Sequence, residues 1–402
     1  MANVGQALTH QMVAREAAKM LVEENEVVSN INTDRSIEFG EEVNGYGKGD
    51  TVKVMIPPTP VVFDGNVFAG GSSTAPSTNE SYVNLILDTQ KHVGLTFGAK
   101  EKKLELTDFK KRFLKPAMQA LSSKINADLL NRMRYQTANV VGTWGTIPST
   151  RTPYRAASAM LNRFLAPSGD RSLHFSSDAN IALAEANSPL FHTKGELEEE
   201  FSENAVGRFA GFDFYEQQGL SVQANGAGSG YAVNGAGQTG NLLAVTTGTG
   251  ALTRGTVFTI AGVNAVHPIT GADTGQPRMF VVTADYAGGA GSVSIFPAIY
   301  PVTSTYIGTV TASPANSAAI TVFGTASQSK RQGIGFHRDA FAAAFAPLPV
   351  LASCEGYTAT IGKVSVRVMT FGDGYNDREN TRIDVLYGEA AVRPDHSVRI
   401  TE

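Results

Sequence analysis

Between residues 221 and 329 only four side chains carry charge, Arg254, Asp273, Arg278 and Asp285, although mixed, normally charged sequence lies on both sides. The segment opens with a Gly/Ala loop, Asn225–Gly240, and continues as short apolar runs separated by glycine-rich turns. Those runs are Leu242–Thr246, Thr256–Ala261, Arg278–Thr283, Ser292–Pro297 and Ala318–Phe323. Regularly spaced short strands with such turns predict a small β-barrel or sandwich. Helical and mixed patterns precede residue 222 and return after Lys330-Arg331, so this β module is inserted into a second domain.

The rest of the chain reads as mixed helix and strand. Residues 7–28 form an amphipathic helix with Val13, Ala17, Met20 and Leu21 on one face, to be packed on its own body or on a neighbour. Thr51–Ile56 alternates as a strand, and a second strand region runs from Ser81 to Glu101. Between them lie more than 20 residues rich in Pro, Gly, Ser and Thr. Loops that long are uncommon within a compact domain, which leaves a projecting hairpin or a surface loop. Thr107-Asp108 is a candidate cap, and Pro116 falls at the first turn of a long helix. Met118, Leu121, Ile125, Leu129 and Met133 mark its buried face over 116–135, about 30 Å at 1.5 Å per residue. Further on, helices at 152–165 and Ser177–Ala186 alternate with strands at Ser172–Phe175 and Phe209–Glu216. A helix over Arg338–Ala346 and strands over Val364–Phe371 and Thr381–Tyr387 complete the pattern.

Composition excludes several classes. Charged residues are 17% against about 25% in typical soluble proteins, and the formal net charge is −4, too small for a dedicated nucleic-acid binder. Cys354, the single cysteine, rules out an internal disulfide and is expected as a buried, inert thiol. No signal peptide or apolar stretch of membrane-spanning length is visible, which implies cytosolic synthesis.

Catalytic and metal motifs fail on inspection. Gly235-Ala236-Gly237-Gln238-Thr239-Gly240 fits GxGxxG, but a strand-like run follows where a dinucleotide site needs a helix. His10, His92, His174, His192, His267, His337 and His396 are scattered. Glu196, Glu198, Glu199, Glu200 and Glu203 read as a solvated helix face rather than a cation site. Asp373–Glu379 reads as a turn between strands. Lys100, Lys102, Lys103, Lys110, Lys111, Arg112 and Lys115 form a basic cluster that either faces water or meets phosphate or a neighbour's acids. We therefore expect no catalytic, cofactor-binding or metal-binding residues, and no enzyme.

Four stretches carry a resemblance. They are Arg208–Asp213 leading to Gly219–Val222, Arg254–Val263, Ala340–Phe345 with Pro347-Leu348-Pro349, and Asp384–Gly388 with Val392-Arg393-Pro394. In their order along the chain they resemble the major capsid proteins of tailed bacteriophages, most of all the short-tailed Salmonella-phage coat-protein branch. The resemblance implies an α+β tailed-phage major capsid (Johnson) fold with an inserted small β-barrel. Its parts would be an N-terminal arm at 1–44, an E-loop hairpin at 45–105 and a P-domain with spine helix at 106–152. A P/A-domain at 153–222, the inserted barrel at 223–333 and a return to the A- and P-domains at 334–402 would follow. It also implies hexamers and pentamers in an icosahedral virion shell, with a scaffolding protein, a portal and packaged double-stranded DNA as partners and no membrane. Such shells assemble in the host cytoplasm. A phage tail-tube or decoration protein is the structural alternative, and a carbohydrate-binding protein the remoter one. On this reading residues 1–28 and 58–80 serve assembly, and the subunit folds without them.

Overall fold

A computed structural model of the chain describes residues 10–34, 36, 42–43, 46–47, 51–56, 81–98, 110–187, 207–220, 222–302, 308–373 and 378–402. Helices α1 (His10–Glu24) and α2 (Glu26–Asn30) are separated by Asn25, whose side-chain oxygen accepts from the Val28 amide at 3.0 Å and so caps α2. Strands β1 (Glu42–Val43), β2 (Tyr46–Gly47), β3 (Thr51–Ile56), β4 (Ser81–Ile86) and β5 (Thr89–Gly98) follow. A π-helical turn at Lys110–Leu114 leads into the long helix α3 (Lys115–Gln136). Next come β6 (Val140–Val141), α4 (Thr152–Arg163), β7 (Arg171–Phe175), α5 (Ser177–Asn187), β8 (Arg208–Phe209), β9 (Phe212–Glu216) and β10 (Val222–Ala224). The charge-poor segment supplies β11 (Gly240–Gly248), β12 (Val257–Val266), β13 (Asp273–Val282), β14 (Gly289–Ile299) and β15 (Ile320–Val322). The chain ends in β16 (Ser329–His337), β17 (Phe341–Ala346), β18 (Glu355–Ile361), β19 (Val364–Asp373), β20 (Arg378–Ala391) and β21 (Ser397–Thr401).

These elements form two compact units, the first comprising residues 1–54, 82–129 and 341–392. Its sheet runs β17-β20-β19-β18, with β5 on the other side of β20. Helix α1 buries Val13, Ala14, Ala17, Ala18, Met20 and Leu21 against β18 and β19, and His10 Nε2 lies 3.0 Å from Thr370 Oγ1. Ser122 on α3 donates to the Glu24 carbonyl at 2.9 Å. The N-terminal helix therefore packs on its own body. The strands flanking the long loop also find partners within the chain: β3 pairs with β4, Val54 and Leu85 pack with Ala344 and Ala390, and β5 pairs with β20. Residues 57–80 lie outside the described residues, as does the acid run at 196–203.

This packing argues against the expectation that the subunit folds without residues 1–28. Burying Val13, Met20 and Leu21 stabilises by about 6 kcal/mol at roughly 2 kcal/mol per large side chain, an upper figure for a compact unfolded state. Deleting residues 1–28 should unfold the first unit as well as abolish assembly. Circular dichroism and urea titration of the truncated chain check this: an unchanged midpoint would return the helix to a purely assembly role.

The second unit comprises residues 55–81, 130–340 and 393–402. A seven-stranded sheet runs β6-β21-β16-β7-β9-β8, with β10 also paired to β16. Tyr154, Leu161, Leu173, Leu183, Phe212, Val398 and Ile400 form its core. The inserted strands make a second sheet, β11-β14-β13-β12-β15. The segment Tyr231–Asn234 closes that sheet into a barrel. On one side Thr246 N donates to Ala232 O and Asn234 N to Ala244 O; on the other Val233 N donates to Ala318 O and Ile320 N to Tyr231 O. Leu243, Val245, Phe258, Ile260, Phe280, Val293 and Ile295 point inward. Closure satisfies both outer strands of the sheet, as small barrels do.

Two local expectations fail. Arg338–Ala346 is not a helix: a 3-10 turn at Arg338–Ala340 passes into β17. Ala-rich sequence favours helix, but Phe341–Ala346 is buried at every position, and a strand covered on both faces shows no alternation to read. Cys354 is partly exposed, not buried.

Candidate functional site: the buried junction of the β module

The barrel is fastened to its neighbouring sheet by buried arginines. Arg399 on β21 is fully buried, and its guanidinium is bonded to oxygens from three elements. Nε and Nη2 donate to the Thr137 carbonyl at 2.8 and 2.5 Å. Nη1 donates to the Gly255 carbonyl of the module at 2.9 Å and to Gln332 Oε1 of β16 at 3.1 Å. Burial pushes the guanidinium well below its ordinary pKa, and the neighbouring charge of Arg134 adds to the effect. Arginine nevertheless stays protonated in proteins, so the carbonyl oxygens act as its solvation shell.

Around this point the same chemistry repeats. Arg134, near the end of α3, bonds Gln223 Oε1 and, at 2.7 Å, Asn131 Oδ1. Its guanidinium lies 4.4 Å from the Tyr135 ring, and Arg254 of the module lies 4.3 Å from the same ring. Gly255 fits here because φ is +87° and a Cβ would collide with Gln223 Oε1 and the Tyr135 ring. Arg278 on β13, 2% exposed, reaches Asp395 Oδ1 at 2.6 Å and covers the Phe164 ring at 4.7 Å. A cavity of about 100 Å³ between Met160 and Phe164 on one side and Val266, Pro277 and Met279 on the other adjoins it. Trp144, the single tryptophan, stands edge-on to Phe323 of the module at 6.2 Å between ring centres.

Three of the module's four charges thus have defined tasks at its ends: Arg254 and Arg278 face the body, and Asp285 accepts from the Arg254 amide at 2.7 Å. Sequence reading missed Arg134, Arg278 and Arg399 as structural centres. For Arg278 the available signal was the scarcity itself, since an isolated charge in a charge-poor segment needs a partner; Arg134 and Arg399 lie in normally charged sequence and carried no such signal.

Gly240 of the GxGxxG match starts a strand, β11. Asp373 and Glu379 sit in the paired strands β19 and β20, with residues 374–377 outside the described set. Lys110, Lys111 and Arg112 lie in the π-helical turn, where Lys111 and Arg112 are exposed, and Lys115 is exposed at the start of α3, whereas Lys100, Lys102 and Lys103 fall outside the described residues. His174 is fully buried between the rings of Tyr215 and Phe336, and burial lowers its pKa to about 3. His337 and His396, distant in sequence, come together at 6.2 Å between ring centres. Among the described residues no three His, Cys, Asp or Glu side chains gather in a metal-binding group.

The family model described as P22 coat protein, gene protein 5, matches residues 59–401. Among solved structures, one from Mycobacterium phage Che8 aligns with 94% of this chain and 90% of its own at 12% identity and a TM-score of 0.49. The capsid of cyanophage P-SCSP1u aligns with 92% of this chain and 88% of its own at 9% identity and a TM-score of 0.46. The CUS-3 coat protein I-domain is 34% identical over 24% of this chain and 97% of its own, with a TM-score of 0.20. No curated protein sequence matches the chain. The family match covers the whole β module and most of both units, leaving out residues 1–54 of the first, and on it the chain belongs to the P22 coat protein family, as a major capsid structural protein of the virion that assembles with copies of itself.

Proposed function

We propose that this chain forms the shell as hexamers and pentamers, assembled in the host cytoplasm around a scaffolding protein with a portal at one vertex. The finished shell encloses double-stranded DNA and touches it without sequence preference. The chain performs no catalysis. The family match over residues 59–401 carries this reading. The displaced histidine pKa values support the structural role, because each is lowered chiefly by desolvation. Burial, rather than a tuned open cleft, is what these three histidines report.

Within the shell subunit we assign residues 1–44 to the N-terminal arm, 45–105 to the E-loop and 106–152 to the P-domain with α3 as spine. Residues 153–222 and 334–402 make up the A-domain and the rest of the P-domain, and 223–333 form the inserted barrel. A closed barrel offers no strand edge to neighbours, so its contacts in the shell run through loops and side chains.

Negative-stain electron microscopy tests the proposal, using the chain expressed alone and with its neighbouring phage genes. Shells or ring-shaped capsomers are expected. Uniform small monomers in both preparations would rule out the shell mechanism.

A further inference from the structure

We propose that the Pro394–His396 turn is an acid-released latch that holds the β-barrel on the sheet of the second unit. The turn has two working faces. On one, Asp395 Oδ1 accepts from Arg278 Nη2 at 2.6 Å, which ties barrel strand β13 to the chain segment entering β21. Arg278 is 2% exposed, and its Nε has no acceptor, so the Asp395 carboxylate is the main counterweight to a buried cation. Asn139 Nδ2 holds the turn from below, donating to Asp395 O at 3.2 Å and to Ser397 O at 3.0 Å.

On the other face His396 meets His337. The rings stand edge to face, 6.2 Å apart, at 8% and 5% exposure. His396 Nε2 is 3.2 Å from the Phe164 carbonyl, the residue whose ring carries Arg278, and its Nδ1 is buried without a partner. His337 Nδ1 accepts from the Asp339 amide at 3.2 Å and lies 4.0 Å from Asp339 Oδ2. The edge of one imidazole therefore meets the face of the other, and a proton on either puts a cation beside an uncharged ring in a nearly closed space.

The charged surroundings are mixed. Asp339, Asp170, Arg171 and Arg393 act on His337, and Arg393, Asp395 and His337 act on His396. Desolvation outweighs the carboxylates, so both pKa values lie below the ordinary histidine value while the latch is closed. Once the turn opens to water they return to that value, near 6.5. The open form thus binds protons more tightly, and falling pH below about 6.5 shifts the balance toward it. Opening withdraws Asp395 from Arg278 and frees the barrel's end.

Trp144 reports on this, because it packs on Phe323 of the barrel. In the full-length chain, acidification from about pH 7 to about pH 5 should shift its emission to the red while far-ultraviolet dichroism stays constant. The double variant His337→Gln, His396→Gln should hold its emission across the same range. Asp395→Asn should show the red-shifted spectrum already at neutral pH. A parent chain with flat emission, a double variant that titrates like the parent, or a silent Asp395→Asn would each overturn the latch. The parent titration and the Asp395 variant stand even if the histidine pair proves necessary for folding.

Discussion

Replacing Asp384 by alanine should lower the stability of the first unit by about 3–5 kcal/mol, the usual cost of leaving a buried partner charge alone. Asp384 sits in the middle of β20, fully buried, with Ile383 paired to Val93 on one side and Val368 on the other. Its two oxygens receive four donors. Arg367 Nη2 and Nε reach Oδ2 at 2.8 and 3.2 Å; Arg382 Nε reaches Oδ1 at 2.7 Å and Gln90 Nε2 the same oxygen at 3.1 Å. Arg367 is 7% exposed, so the alanine variant strands a buried guanidinium with the Pro349 carbonyl as its remaining acceptor. Arg382, by contrast, is 36% exposed at its side chain, and Arg382→Ala should cost about 1 kcal/mol or less. Urea titration of the three proteins decides the matter. Equal shifts for Asp384→Ala and Arg382→Ala would mean that solvent reaches the site and the buried-pair argument fails.

This example shows what a sequence displays and what it hides. The stretch Asp384–Gly388 stands out as a family-like motif, yet nothing in its spelling says that Asp384 is enclosed. Alternation identifies the two faces of a strand; it cannot tell whether the second face is covered. In β21 Val398 and Ile400 enter the core and Arg399 points the other way, a pattern that usually means water. Here Thr137 and Gly255 cover that face. The same blindness turned Phe341–Ala346 into an expected helix. Long α3 was readable because its apolar spacing repeats over 22 residues, and one solvated side keeps such a pattern visible. The barrel strands were readable for their even spacing. Their closing segment, Tyr231–Asn234, was not, since it lies in a Gly/Ala loop and works through backbone hydrogen bonds that leave little side-chain trace.

Arg399 offers the sharper test of how the β module is held. Removing its guanidinium as Arg399→Met leaves the Thr137 and Gly255 carbonyls and Gln332 Oε1 without their donors in a site closed to water. At roughly 1–3 kcal/mol for each unsatisfied buried group, partly offset because a desolvated cation is also removed, the net loss should be about 3 kcal/mol. The loss is local: the barrel should loosen, with a red shift of Trp144 emission and new protease cleavage at the barrel's borders. Arg399→Lys separates the two ways of reading the site. A lysine keeps the charge, but its single ammonium lacks the planar fork that bonds Thr137 through two nitrogens while the third reaches Gly255 and Gln332. If the fork is what fastens the module, the lysine variant should be no more stable than the methionine one. If it restores the parent's urea midpoint, the positive charge alone holds the junction. In that case the carbonyl geometry around Arg399 is a consequence of the barrel's docking rather than its cause.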